Sequence, residues 1–164
     1  MPLELALATT KDQYIWFANP VVWKDPFEKR FIEAKYKIGA KDEDFPLNGR
    51  VFCSGMTQTQ ASEAHWSTYS NGQIGISLNI KRDKLLEILN NLSDCEVYIG
   101  TVSYLRTSDI KKKLSEIDCL QTISPFRLSN RDLQIRLLLL KRIAFQYENE
   151  VRILLRERKL KKKV

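Results

Sequence analysis

The chain contains little cysteine and almost no histidine. Its 164 residues include three Cys and one His, which form neither a CxxC pair nor a cluster with the spacing of zinc ligands. We therefore predict no metal site. The odd number of cysteines and the lack of a recognisable signal peptide predict a cytoplasmic protein. No apolar run approaches the ~20 residues of a membrane span, so we predict no membrane contact.

Several common enzyme motifs are also missing. The sequence has neither a Gly-rich phosphate loop of either usual spacing nor a G-x-S-x-G nucleophile elbow. What remains is a chain of 19.1 kDa with 43% hydrophobic residues, which is enough for one folded domain. We expect residues 1–156 to form this domain and residues 157–164 to form a basic C-terminal tail.

The net charge of +7 is confined to one end of the chain. Residues 1–130 carry 16 Lys and Arg against 16 Asp and Glu, whereas residues 131–164 carry 11 against 4. A basic segment of this kind can bind a phosphate backbone, so residues 156–163 are a candidate contact for nucleic acid. The alternative is a solvated tail that keeps the domain soluble.

Predicted helices and strands alternate irregularly, which favours an α+β fold over a regular α/β fold. We expect a single domain with a small, mixed or mainly antiparallel sheet, split or continuous, flanked by helices. Capping signals at Asp25 and Thr57 predict two of the helices, and Gly100 is a candidate bulge. The predicted strands span 14–18, 50–54, 73–80, 96–104 and 145–155. The predicted helices span 25–37, 57–69 and 108–120, and two more begin at 83 and 129.

The last predicted strand carries the strongest candidates for chemistry. With a period of two, Glu148, Glu150 and Arg152 project from one face, and neighbours on that face lie roughly 6–7 Å apart. Two carboxylates so close raise the pKa of one of them, and the adjacent Arg152 offsets part of that cost. Such a row suits a general base or a stabiliser of a cationic transition state. The alternative is the solvated face of an edge strand in a non-catalytic interaction domain.

A second group of candidates lies on the predicted helix 57–69. His65 and Tyr69 are four residues apart and share a helix face, and Trp66 flanks them. Together they could form an aromatic wall for a planar ring. The alternative is that all three are packed core residues.

Four segments resemble a bacterial family known as domain of unknown function 2971. They are Trp16-Phe-Ala-Asn-Pro with Trp-Lys-Asp-Pro-Phe-Glu28, then Val-Phe-Cys-Ser54, then His-Trp-Ser-Thr-Tyr69 leading to Gly-Gln-Ile-Gly-Ile-Ser77, and finally Tyr-Glu-Asn-Glu-Val-Arg152. Their order matches across residues 14–155. The opening Leu3-Glu-Leu-Ala matches the family's first strand poorly, so we expect either a diverged N-terminal strand or a truncated start.

The layout is also similar, more distantly, to ADP-ribosyltransferases, in which a split sheet binds NAD. This resemblance implies that Glu150 is the catalytic carboxylate, that Glu148 activates the substrate, and that Tyr69 stacks on nicotinamide. Ser54 would lie on the strand that often carries a Ser-Thr-Ser motif. Further candidate binding residues are His65, Trp66, Arg152 and Asp25.

Two functions follow as hypotheses. One is an NAD-dependent transferase or glycohydrolase that acts as a toxin or phage-defence effector. The other is a nucleic-acid-binding or nucleic-acid-processing module. For the enzyme, we expect Glu150, Tyr69 and Asp25 to converge on one cleft, because reacting groups must lie near contact distance.

Overall fold

The computed structural model describes residues 3–12, 14–33, 36–38, 41–43, 50–70, 74–110, 112 and 135–158. Its named helices are α1 (Leu3–Asp12), α2 (Pro26–Glu33), α3 (Glu63–Ser70) and α4 (Arg82–Asn90), with two 3₁₀ helices, η1 (Pro20–Val22) and η2 (Ile143–Glu148). Its strands are β1 (Tyr36–Ile38), β2 (Lys41–Glu43), β3 (Val51–Thr57), β4 (Cys95–Thr101), β5 (Ser103–Leu105), β6 (Leu140–Arg142) and β7 (Glu150–Glu157).

The sheets are small and mainly antiparallel. The largest has the order β3-β7-β4, with β7 antiparallel to both neighbours. A second sheet pairs β5 with β6 in parallel, and a third pairs β1 with β2 antiparallel. The predicted α+β fold, with a mainly antiparallel sheet flanked by helices, is confirmed.

The core explains why β7 occupies the centre. Its consecutive residues Ile153 and Leu154 project to opposite faces, and both are completely buried. The Leu154 face packs into a cluster that includes Val51 and Cys53 on β3 and the leucines at 137, 138 and 140. Full burial of such a side chain contributes about 1.5–3 kcal/mol. A strand that is apolar on both faces is stable only where both faces are covered.

Helix α2 begins as predicted but ends earlier. The Asp25 carboxylate accepts a hydrogen bond from the Phe27 N–H at 2.8 Å, which is the expected cap. The helix stops at Glu33 instead of continuing to residue 37, because the segment from Tyr36 to Ile38 pairs as β1. Residues Lys41–Glu43 form its partner β2.

Two predicted strands are wrong. In the segment 14–18, only Ala18 pairs, through an isolated bridge to Cys53, and Trp16 is half exposed. The segment 74–80 has no strand beyond a single bridge at Gly75. Apolar alternation fits a pleated strand but does not supply the neighbouring strand that its backbone needs.

The next comparison concerns the N-terminal segment and the two helices predicted after residue 107. Residues Leu3–Asp12, for which the family resemblance left a diverged strand or a truncated start as alternatives, form helix α1. Of the two predicted helices after β5, one starts near residue 107, and most of both lies outside the described residues. Within the described part of the chain, every helix is too short or too polar to cross a lipid bilayer.

Candidate active site

The acidic residues before β7 follow a backbone path that the sequence did not predict. Ile143–Glu148 is the 3₁₀ helix η2, and the strand starts only at Glu150. Between them, Asn149 adopts a left-handed conformation with φ of 41°, which Asn tolerates better than most residues other than Gly. The strand predicted over 145–155 therefore starts five residues later. The prediction that Glu148 and Glu150 share one strand face is wrong.

Both carboxylates nevertheless reach the same cation. Lys141 on β6 donates from Nζ to Glu148 Oε2 at 2.5 Å and to Glu150 Oε2 at 3.1 Å. Arg152 donates from Nε to Glu150 Oε1 at 2.9 Å and pairs through Nη2 with Glu28 on α2. We call Glu28, Lys141, Glu148, Glu150 and Arg152 the charge network. It ties α2, β6, η2 and β7 together.

The charge network is almost removed from solvent. Its side chains are between 2% and 12% exposed. Arg152 is held further by a hydrogen bond from Nη1 to the Leu138 carbonyl at 2.6 Å, and its guanidinium lies 4.3 Å from the centre of the Trp23 ring. Buried charges are costly unless each has a partner, and every member has one. The solvated edge-strand alternative is wrong, because β7 is central and the side chain of its first carboxylate is only 12% exposed.

Two glycines make room for this arrangement. Gly55 on β3 and Gly100 on β4 both pair with Arg152 across the sheet. A Cβ on Gly55 would lie 2.4 Å from Glu150 Oε1, and a Cβ on Gly100 would lie 2.4 Å from Leu139 Cδ1. Larger residues at these positions would have to displace those atoms. Gly100 lies in a regular ladder, so the bulge predicted there is wrong.

The close approach at Gly55 leads to a stability prediction. We expect Gly55→Ala to lower the unfolding free energy by about 1–3 kcal/mol, because the new methyl group pushes the Glu150 carboxylate away from its partners. Chemical denaturation measures this loss. In a Glu150→Ala background the loss should be much smaller, since the atoms that the methyl group meets are absent. An equal loss in both backgrounds would contradict the close approach.

Burial and the neighbouring charges shift the pKa values of Glu150, Glu28 and Lys141 in different directions. Burial raises the pKa of Glu150, but the hydrogen bonds and positive charges of Arg152 and Lys141 outweigh it and hold that pKa below 4.5. Desolvation raises the pKa of Glu28, and the positive charges of Arg152 and Lys141 do not compensate fully. The Lys141 pKa is raised because the nearby carboxylates outweigh its burial. Glu150 is therefore held ionised more firmly than Glu28.

Helix α3 begins at a cap that the sequence analysis did not identify. The predicted cap Thr57 belongs to β3, and its hydroxyl donates to the Glu148 carbonyl at 2.7 Å. The helix starts after Ser62, whose backbone N–H donates to His65 Nδ1 at 3.2 Å. Because Nδ1 accepts this bond, the ring proton is on Nε2, where no described residue accepts it. His65 is buried and completes the cap.

One face of α3 packs against η2 beside the charge network. The His65 ring meets Tyr147 edge-on, with ring centres 5.6 Å apart, and the Thr68 and Tyr147 hydroxyls are 3.1 Å apart. Desolvation, the negative charges of Glu148 and Glu150, and a hydrogen bond to Glu148 all raise the pKa of Tyr69. The Tyr69 hydroxyl is thus directed at the acidic residues and stays protonated.

The outer parts of these aromatic residues remain accessible. Trp66, Tyr69 and Tyr147 are 38%, 47% and 38% exposed. Trp66 and Tyr69 are neighbours on the helix because they are three positions apart in the sequence. We call these three residues the aromatic surface. Because Tyr69 interacts with Glu148 and Glu150, this surface adjoins the charge network.

Two candidate residues are placed differently from expectation. Asp25 caps α2 and pairs with Arg142 at 3.2 Å, so it contacts the residue next to Lys141 and has no described contact with Glu150. Ser54 pairs with Ile153 in the ladder, which places it on the sheet face opposite the charge network. The structure thus gathers Glu148, Glu150, Arg152 and Tyr69, with His65 and Trp66 adjoining, and separates Ser54 from them.

Two members of the charge network, Glu28 and Lys141, are absent from the site residues predicted from the sequence. In Asp25-Pro-Phe-Glu28 the acidic residue fits the start of a helix, and nothing local indicates its pairing with Arg152. Lys141 directly follows the buried run from Leu137 to Leu140. A lysine that directly follows an apolar segment indicates a buried ion pair, because such a charge is rarely buried without a partner.

The alternative interface and a metal site gain no support in the described residues. Arg156, the first residue of the basic segment, pairs with Glu96 at 3.0 Å, and residues 159–164 lie outside the described part. Over the ranges that the structure describes, no group of three or more His, Cys, Asp and Glu side chains could hold a metal ion.

Comparison with known proteins identifies the family. No curated protein and no solved structure matches the chain. A family model described as protein of unknown function (DUF2971) matches residues 65–153. This match runs from α3 to β7 and includes the aromatic surface and four of the five charge-network residues, whereas Glu28 precedes it. The resemblance to ADP-ribosyltransferases stays a prediction. The chain belongs to the DUF2971 family of proteins of unknown function.

Proposed function

We propose that the protein is an enzyme that cleaves the bond between nicotinamide and ribose in NAD, as an ADP-ribosyltransferase or glycohydrolase does. One observation carries the proposal: the Glu150 carboxylate, held ionised by Arg152 and Lys141, adjoins the exposed aromatic surface. An ionised carboxylate and a stacking surface are the two groups that this reaction needs most.

The role of Glu150 follows from the position of the positive charge that develops during cleavage. When the carbon–nitrogen bond breaks, its electron pair stays with the nicotinamide ring, which becomes neutral, and the ribosyl carbon becomes cationic. A fixed negative charge next to that carbon stabilises the transition state. Water or an acceptor hydroxyl then adds to the carbon and loses a proton. Because Arg152 and Lys141 hold Glu150 in place, the carboxylate needs little reorganisation during the reaction.

The other residues have supporting roles in this proposal. The aromatic surface stacks on the planar nicotinamide ring, and the Tyr69 hydroxyl lies near the charges of Glu148 and Glu150. Glu148 accepts from Lys141 and activates the substrate, as the resemblance implies. Consumption of NAD in the cytoplasm would suit a toxin or a phage-defence effector.

The proposal predicts that Glu150→Gln lowers the rate of nicotinamide release from NAD by at least tenfold, since the amide keeps the shape and loses the charge. A tenfold change corresponds to about 1.4 kcal/mol of transition-state stabilisation. The matched control is Glu87→Gln, which removes a carboxylate from an exposed helix pair with Lys84 and should leave the rate unchanged. Equal release from wild type and Glu150→Gln, or none from either, would overturn the proposal.

A further inference from the structure

A serine and a histidine form a close pair at the start of α3, outside the charge network. The Ser62 hydroxyl oxygen is 2.8 Å from His65 Nδ1, and the Ser62 backbone N–H donates to the same nitrogen at 3.2 Å. Because Nδ1 accepts from the backbone and carries no proton, the hydroxyl is the donor in the shorter contact. The imidazole is thus placed to take the hydroxyl proton, which is the geometry of a nucleophile beside its general base.

This pair does more than an ordinary helix cap requires. A capping box needs only an acceptor on the third helical residue for the backbone N–H of the cap residue, and the hydroxyl of a cap serine usually accepts from a helix N–H. In the described part of the chain, no N–H is recorded as donating to Ser62 Oγ, and the hydroxyl donates to the imidazole instead. The lone pairs of Oγ are therefore free to form a new bond.

The exposure of the two side chains fits the same roles. Ser62 is exposed, whereas His65 is only 7% exposed. The imidazole packs edge-on against the Tyr147 ring, with ring centres 5.6 Å apart. Ser62 and His65 are three positions apart on the first helical turn, so the helix itself holds them together. A small molecule can reach the serine oxygen, while the base behind it is shielded and fixed.

We propose that Ser62 is a nucleophilic serine, activated by His65, that takes an acyl group from a carboxylic ester. Ser62 Oγ forms a bond to the carbonyl carbon, His65 Nδ1 takes the hydroxyl proton, and the ester C–O bond breaks as the alcohol leaves with that proton. Among the described residues, none accepts from His65 Nε2, so the pair lacks the third member of a catalytic triad. We therefore expect acyl transfer to be slower than in enzymes with a full triad. The inference is independent of the proposed function.

A fluorophosphonate probe tests the pair on the full chain. With an activated serine, the bond from Oγ to phosphorus forms, the bond from phosphorus to fluorine breaks, fluoride leaves, and the hydroxyl proton passes to the base. We expect peptide mass spectrometry to show labelling of Ser62 at least tenfold faster than labelling of Ser67. Ser67 is the matched control, because it is exposed on the same helix but lies two positions from His65, where side chains do not face each other.

The substitution His65→Gln separates the base from the cap. A Gln at the third helical position still accepts from the cap N–H, so the thermal unfolding midpoint should stay close to that of wild type. The amide cannot take a proton, so labelling of Ser62 should slow at least tenfold; a general base typically contributes about 10²–10⁴-fold. The variant Ser67→Ala should keep the wild-type rate at Ser62.

Two results would overturn the inference. One is equal labelling of Ser62 and Ser67 in wild type, a comparison that needs no variant. The other is a Ser62 labelling rate in folded His65→Gln that equals the wild-type rate, which would leave the imidazole as a cap alone. Because the probe contains no NAD, either result leaves the proposed function standing, and failure to cleave NAD leaves this inference standing.

Discussion

Replacing Arg152 by Met is expected to lower the unfolding free energy by about 3–5 kcal/mol, since it leaves the buried carboxylates of Glu28 and Glu150 without their main partner. Arg152 is 2% exposed and donates to both carboxylates and to the Leu138 carbonyl. Met has a similar length and keeps most of the packing against Trp23. The loss therefore reports the missing charge and hydrogen bonds more than a cavity. Denaturation in urea at neutral pH measures it.

Two further substitutions separate charge from geometry. Arg152→Lys keeps the positive charge but cannot bond two carboxylates and a carbonyl in the same fixed plane, so we expect a loss between those of wild type and Arg152→Met. Arg82→Ala removes an exposed arginine at the start of α4 and should change stability by no more than about 0.5 kcal/mol. If Arg152→Met stays within 1 kcal/mol of wild type, the charge network does not hold the fold together.

Replacing Lys141 by Met should have an effect of similar size, about 3–5 kcal/mol at pH 7. Lys141 is the contact shared by Glu148 and Glu150, and its removal leaves one of them with no described cationic partner. The matched control is Lys84→Met, because Lys84 forms an ion pair with Glu87 in which the side chains are 69% and 61% exposed. Exposed pairs of this kind contribute about 0–1 kcal/mol.

Lowering the pH should reduce the difference in unfolding free energy between Lys141→Met and wild type. In wild type the Glu150 pKa is lowered, so the stability that it contributes is complete above pH 4.5 and is lost as the pH falls through the folded-state value. The variant lacks one of the two cations that lower this pKa, so less of that stability is present to be lost. We expect the two unfolding free energies to approach each other below pH 4.5. A constant difference from pH 7 to pH 3 would contradict the role of Lys141.

Local sequence patterns predicted the parts of the fold that depend on local physics. The cap at Asp25 needs only a side chain and the next helical turn, and the apolar strand that became β7 needs only burial on both faces. The start of β7 was predicted wrongly. The alternation of side-chain types continues through residues 146–152, but the backbone leaves the extended conformation at Asn149, which is left-handed. A single Asn does not show whether it adopts a left-handed conformation, since that depends on what packs around it.

The composition of the site depended on contacts between distant segments. Glu148 and Glu150 were expected together for the wrong reason, a shared strand face, and they meet because Lys141 lies between them. The contact of Glu28 with Arg152 spans 124 positions of the chain and leaves no periodic signal. The sequence shows that residue 55 is a glycine, but it does not show why. The reason is the Glu150 carboxylate, which approaches Gly55 closely once β3 lies beside β7.

The most direct test of the central claim, that the charge network holds Glu150 as an ionised carboxylate, is a carbon-13 NMR titration of the glutamate side-chain carboxyls. The resonance missing from Glu150→Gln identifies Glu150. We predict a titration midpoint below 4.5 in wild type and a higher midpoint in Lys141→Met. A wild-type midpoint at or above 4.5 would contradict the claim and remove the charge on which the proposed chemistry depends.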